Sequence, residues 1–223
     1  MMKRTFSLLL ALMTLTLASS SCSFFRSAGG QSRSHVLPEQ RIIIEEVYSS
    51  RDHLGIYGRL YRPVGVKGRL PLVILSHGFG VTHRDGEGYA ELLTRMGYLC
   101  YTFDFNGGGR ESLSAGATTD MSVLTEQADL NAVIDQLKRR SDVDPRYITL
   151  LGLSQGGLVS ALTAASRPDD IASLILIYPA FSIPEMARKQ WGEYSKIPQV
   201  NTFWGMRLGE KYYKDVWNID PYA

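Results

Sequence analysis

The chain has 223 residues, 44% of them hydrophobic and 21% charged, which is enough apolar content for one domain with a packed core. Its 24 Lys and Arg face 22 Asp and Glu; Lys3 and Arg4 make up the whole excess, so no basic stripe argues for nucleic acid. Two cysteines, Cys22 and Cys100, supply no disulfide framework.

Met1-Met2-Lys3-Arg4 is a positive start, and residues 6–18 form an apolar run too short to span a bilayer comfortably. Leu17-Ala18-Ser19-Ser20-Ser21-Cys22 follows. It resembles a bacterial lipoprotein lipobox, with Ser19 where such boxes usually carry Leu, and implies lipidation and membrane attachment at Cys22. Residues 1–21 are read as an export signal, so the mature chain is expected at the cell envelope or outside it. Residues 22–40, polar with Gly29-Gly30 and several serines, are read as a flexible tether.

Residues 41–48 and 56–62 are β-rich, with residues 51–55 as the turn of a hairpin. Leu72-Val73-Ile74-Leu75 is a continuous apolar run, as expected of a strand covered on both faces, and it ends at Ser76-His77-Gly78-Phe79-Gly80. Tyr89, Leu92, Leu93 and Met96 recur at helical spacing before Gly97, a C-terminal cap. Residues 98–105 are another buried strand, running into Asn106-Gly107-Gly108-Gly109. Residues 121–139 are a longer helix with Leu130, Ile134 and Leu137 on one face. Residues 147–151 and 172–178 are further strands. Strands alternating with helices imply a largely parallel sheet covered on both faces, with a site where the carboxyl ends of strands converge. Here those ends are His77-Gly78-Phe79, Asp104 to Gly107, Ser154, and Tyr178 to Ala180. After Phe181 come all three tryptophans, with Tyr194, Phe203, Tyr212 and Tyr213. This segment is read as the start of a helical cap whose aromatics serve packing first and an acyl pocket second.

The chemistry centres on Gly152-Leu153-Ser154-Gln155-Gly156, a G-x-S-x-G stretch between a strand and a small-residue helix. That context is a nucleophile elbow, in which Gly152 and Gly156 leave room for a turn that lifts Ser154 from the sheet. The N–H of Gln155 at the helix start is one oxyanion donor; the second is expected from Phe79, where Gly78 lets backbone approach a substrate. A serine nucleophile needs a histidine, itself oriented by a carboxylate. The four histidines, His35, His53, His77 and His83, all precede Ser154; His77 is read as a structural member of the oxyanion loop and His83 as solvated.

On these residues the chain resembles the α/β-hydrolases, most of all the bacterial cinnamoyl (feruloyl) esterase-like serine hydrolases, across residues 41–223. The resemblance rests on His77-Gly78-Phe79-Gly80, Asp104-Phe105-Asn106-Gly107-Gly108-Gly109, Met121-Ser122-Val123-Leu124 and Gly152-Leu153-Ser154-Gln155-Gly156-Gly157. It implies a hydrolase core over residues 41–180 and a partial cap over 181–223. The implied fold is a mostly parallel sheet with helices on both faces, an N-terminal antiparallel hairpin, and its last strands absent. The implied activity is hydrolysis of a small-molecule carboxylic ester, hydroxycinnamoyl esters among the candidates, through an acyl-enzyme on Ser154, with no cofactor and no metal. Gly108 stands where these esterases commonly carry a histidine, and the following serine is displaced to Ser112. In the family two more strands follow the cap, the first leading to the triad acid and the second to the histidine. The expectation is therefore a truncated, nearly inactive chain holding the nucleophile and the oxyanion donors without the acid and base. A serine aminopeptidase-like or lipase-like acylhydrolase is a second reading. A catalytically inactive hydrolase-fold binding protein is a third, against which the intact elbow and oxyanion loop weigh.

Overall fold

Continuous apolar runs become the central strands of a mixed sheet. The structure, a computed structural model, describes residues 40–222; the export signal and Cys22 lie outside the described residues, as does the tether up to residue 39. In chain order the elements are β1 (Ile42–Glu46), β2 (Ser49–Arg51), β3 (Leu54–Ile56), β4 (Gly58–Pro63), β5 (Leu70–Ser76), α1 (Glu87–Arg95), β6 (Leu99–Phe103) and α2 (Val123–Leu137). They continue with β7 (Val143–Leu153), α3 (Gln155–Ser166), β8 (Ser173–Ile177), α4 (Ile183–Trp191), β9 (Val200–Phe203), β10 (Met206–Gly209) and α5 (Glu210–Lys214).

Six strands form one sheet in the order β1-β4-β6-β5-β7-β8. The pairs β5–β6, β5–β7 and β7–β8 are parallel; β1–β4 and β4–β6 are antiparallel. The expected N-terminal hairpin is present, but its turn is itself a small ribbon, β2 against β3, closed by Asp52 and His53 at positive φ. Successive side chains of each central strand enter opposite faces. Leu72, Ile74, Leu99, Tyr101, Ile148 and Leu150 meet α2 and α3, while Val73, Leu75, Cys100, Leu151 and Leu153 meet Ala90 of α1. Burying one such side chain stabilises the fold by about 1.5–3 kcal/mol. β8 is the last strand of the order, with Leu174 and Ile175 exposed.

α2 starts at a capping box, Ser122 with Thr125, and its Leu130, Ile134 and Leu137 are buried as expected. α1 differs from expectation. Of its apolar stripe Tyr89, Leu92, Leu93 and Met96, only Leu93 packs against the core; the other three are exposed, and Ala90 and Thr94 are the buried positions. The cause is close packing: the sheet is met by the small side of the helix, and a Cβ on Gly86 would already lie 3.3 Å from Leu75 and Thr102 side-chain atoms. The segment after Phe181 is not wholly helical, because α4 and α5 flank the antiparallel hairpin β9–β10, whose turn is Trp204-Gly205 at positive φ.

Candidate active site

Ser154 follows β7 and is the N-terminal flank of α3, with φ 51° and ψ −115°. A positive φ on a serine costs about 1–3 kcal/mol and persists only where the surroundings impose it. Here they do. A Cβ on Gly152 would lie 2.4 Å from the Gly156 carbonyl oxygen, and one on Gly156 would lie 2.3 Å from Ser76 O and 2.4 Å from His77 O. The chain therefore turns within a space that admits no side chain at positions 152 and 156, two residues either side of the serine. Four backbone bonds fix the turn: Ser154 N–H donates to Ile177 O at 3.1 Å, and Ser154 O accepts from Ala180 N–H at 2.8 Å, Gly157 N–H at 3.0 Å and Leu158 N–H at 3.4 Å.

The loop after β5 lies directly beside it. A Cβ on Gly78 would be 3.3 Å from Ser154 Cβ. His77 braces this loop from beneath: Nδ1 donates to Gly78 O at 2.7 Å and Nε2 accepts from Phe105 N–H at 3.2 Å. Burial holds the His77 ring below its ordinary range, so it is neutral with both nitrogens engaged. Gly108 also has a reason: a Cβ there would meet Phe105 Cβ at 2.9 Å and His77 Cε1 at 3.2 Å.

Phe79 and Gln155 both line an apolar cavity of about 220 Å³ with Ser154 at its edge. Its walls include Ile183 and Met186 of α4, Phe203 and Trp204 of the hairpin, and Tyr212 of α5. The Phe79 ring stands edge-on to Phe203, Trp204 and Tyr212 at centroid separations of 5.5, 6.0 and 5.7 Å. A larger and more polar hollow of about 620 Å³ lies across Phe79 and Trp204, lined by Arg84, Asp85, Arg110 and Glu111 and not by Ser154. The cap aromatics thus divide: Phe203, Trp204, Tyr212 and Tyr213 line the cavity, whereas Trp191 packs behind Tyr213 and Tyr194 on Trp217.

Among the described residues no histidine is hydrogen-bonded to Ser154. His83, expected in solvent, is buried, and both its N–H and its Nδ1 meet Asp104 Oδ1, at 2.6 and 2.8 Å. Asp104, one of the converging strand ends, is likewise fully buried and braces its own loop through Leu113 N–H at 2.8 Å. His53 is exposed on the β2–β3 turn. Of the acids after Ser154, Asp170 pairs with Lys138 and Arg167, Glu193 with Lys196, Glu210 with Lys214 and Asp215 with Lys211.

Sequence reasoning missed Glu126 and Tyr212. Gln155 Nε2 donates to Glu126 Oε2 at 2.8 Å, and Tyr212 O–H donates to Gln155 Oε1 at 2.7 Å. Burial pushes the Glu126 carboxyl up to about 8. The available signal was a glutamate on the apolar stripe of α2, between Val123 and Leu130.

The sequence model of the family described as serine aminopeptidase, S33, matches residues 69–213, which include Ser154, the loop after β5 and α5 as far as Tyr213. The chain belongs to this α/β-hydrolase family. Curated relatives resemble it over part of its length. Human monoglyceride lipase is 29% identical over 133 residues, 59% of this chain and 42% of that protein. The proline iminopeptidase of Lactiplantibacillus plantarum is 34% identical over 137 residues, 60% of this chain and 45% of that protein. The chain thus spans less than half the length of these curated relatives. The structure of Est1E from Butyrivibrio proteoclasticus with ferulic acid bound superposes with a TM-score of 0.71 at 29% identity, covering 78% of this chain and 72% of that one.

Proposed function

We propose that this family member is a serine hydrolase of small carboxylic esters, with Ser154 as nucleophile and the N–H groups of Phe79 and Gln155 as oxyanion donors. One observation carries the reading: Ser154 is held at φ 51° at the carboxyl end of β7, against the Gly78 backbone and at the edge of an apolar cavity. In this mechanism Ser154 Oγ attacks the ester carbonyl while its proton passes to a base. The tetrahedral oxyanion is met by the two N–H groups, each worth about 3 kcal/mol in the transition state. The alcohol departs with a proton, and water then cleaves the acyl-serine. With His77 and His83 engaged in other hydrogen bonds and His53 exposed on the β2–β3 turn, the reading assigns the base and its acid to sequence outside the described residues.

The cavity favours an ester over a peptide with a free amino terminus. No Asp or Glu is among its described lining residues, whereas a bound ammonium would need an anion. At about 220 Å³ it falls below the ~300 Å³ of drug-sized sites, so a short or aromatic acyl group suits it better than a long chain. The Phe79, Phe203, Trp204 and Tyr212 rings support an aromatic acyl group, hydroxycinnamoyl among them, and the open charged hollow beyond Trp204 would receive the alcohol. For the amino terminus we propose export and acylation at Cys22, supported by the Lys3-Arg4 start and the apolar run after it. An unmodified Cys22 on the exported protein, read by intact mass, contradicts that.

Hydrolysis of p-nitrophenyl acetate by the wild type and Ser154→Ala, each with and without added imidazole, tests the function. Without a base the residual rate comes from binding and the oxyanion hole alone, about 10³–10⁴ over water, and the two proteins should match. Imidazole also cleaves this ester directly, so the protein-free rate is subtracted; above it, imidazole acting as the base should accelerate the wild type only. Equal rates in imidazole would remove Ser154 from the chemistry, and turnover at ordinary esterase rates without it would overturn the outside base.

A further inference from the structure

Both residues assigned as oxyanion donors are touched by one side chain of the cap. Tyr212 sends its hydroxyl to Gln155 Oε1 at 2.7 Å and sets its ring edge-on to Phe79 at 5.7 Å. It is 5% exposed and Gln155 1%, so neither contact is diluted by water. The other end of the Gln155 amide is also occupied, by Glu126 Oε2 at 2.8 Å, on a residue 1% exposed. With oxygen and nitrogen both engaged, the Gln155 side chain has one orientation, and α3 begins from a fixed first residue.

The same two helices meet once more, about one turn away. Asp215, which follows α5, accepts from Ser122 Oγ at the start of α2 at 2.5 Å. Residues three and four apart share a helix face, so Ser122 and Glu126 on α2 and Asp215 and Tyr212 at α5 form two rungs. The first is direct and the second passes through the Gln155 amide.

We propose that Tyr212, backed by Glu126 through the Gln155 amide, is a positioning residue that sets the relative placement of the Phe79 and Gln155 N–H groups, its hydroxyl holding Gln155 and its ring holding Phe79. The proposal rests on the assignment of those two N–H groups as oxyanion donors. It makes docking of α5 a condition for a formed oxyanion hole, because a donor displaced by about 1 Å loses much of its effect, on the order of 10²-fold in rate.

The test uses the full chain with Tyr212→Phe, Tyr212→Leu, Glu126→Gln and Glu126→Ala. Tyr101→Phe is the control, since that buried hydroxyl donates to Val47 O away from the site. Two readouts apply: the backbone amide signals of Phe79 and Gln155, and the rate at which a fluorophosphonate modifies Ser154 in the presence of imidazole. Tyr212→Phe should displace the Gln155 signal and leave that of Phe79; Tyr212→Leu should displace both. Tyr212→Phe and Glu126→Ala should each slow modification about tenfold, and their combination no more than either alone. Glu126→Gln, which keeps an acceptor for the amide, should stay within about twofold of wild type, as should Tyr101→Phe. An unmoved Gln155 signal in Tyr212→Phe, or effects that multiply in the double variant, would overturn the proposal. If wild-type Ser154 takes no label, the hydrolase reading fails, and the amide signals alone decide whether Tyr212 positions these residues.

Discussion

Replacing Glu126 by Gln isolates a titration that folding opposes. Glu126 is 1% exposed on the inner face of α2. Burial raises its carboxyl from 4.5 to about 8, outweighing the hydrogen bond from Gln155, which acts the other way, while nearby Asp129 adds to the rise. The folded chain therefore holds this proton more tightly than the unfolded chain. Its contribution to stability is full below pH 4.5 and is lost as the pH rises through about 8. Each pH unit inside that window costs about 1.4 kcal/mol. The wild type thus gives up about 3 kcal/mol by pH 7, and about 4 to 5 kcal/mol above pH 9, relative to a side chain that stays neutral. Glu126→Gln is such a side chain, close in size and still able to accept from the Gln155 amide. Urea unfolding at about pH 5, 7 and 9 measures the difference. The two proteins should lie within about 1 kcal/mol of each other at the acid end, with the variant ahead by several kcal/mol at the alkaline end. Stability curves that run parallel across this range refute the reasoning, because they mean that the folded chain already carries the charge.

Gly156→Ala should cost more than about 4 kcal/mol or abolish folding, since its Cβ meets two backbone carbonyls at 2.3 and 2.4 Å. Gly88→Ala, in α1 with nothing within 4 Å of its Cβ, should raise the unfolding free energy measured in urea by up to about 1 kcal/mol. Arg51→Ala strips the guanidinium that lies 2.6 Å from fully buried Asp129. The two hydrogen bonds from Asn106 to Asp129 remain, so we expect a loss of about 2–4 kcal/mol at neutral pH. That loss should shrink as acid protonates Asp129, whose carboxyl burial already raises. His77, held neutral by burial with a lowered pKa, contributes stability that is present above 6.5 and falls away as the pH drops below it. His77→Gln should flatten that acid limb in the same unfolding series, and an unchanged limb would place the titration elsewhere.

The central strands were legible because a strand covered on both faces must be an unbroken apolar run, and Leu72 to Leu75 shows nothing else. The elbow was legible because Gly152 and Gly156 are demanded by contact distances that no other residue satisfies. What failed did so for want of tertiary information. Helical spacing picked out Tyr89, Leu92, Leu93 and Met96, of which only Leu93 packs on the core, because spacing carried no sign of which side the sheet takes. The small residues Gly86, Ala90 and Thr94, four apart, marked that side. His83 looked solvated because its partner Asp104 is 21 residues away. The β9–β10 hairpin is four residues a side with Trp204-Gly205 at its turn, and its aromatics also suit a helix. The Glu126–Gln155–Tyr212 chain spans three elements that only folding brings together.

The most direct measurement is the intact mass of the protein after exposure to a fluorophosphonate with imidazole present, followed by peptide mapping of the adduct. One adduct per chain is expected, on Ser154, forming faster with imidazole than without and absent from Ser154→Ala. No adduct in imidazole, or one that forms equally on Ser154→Ala, would contradict this expectation.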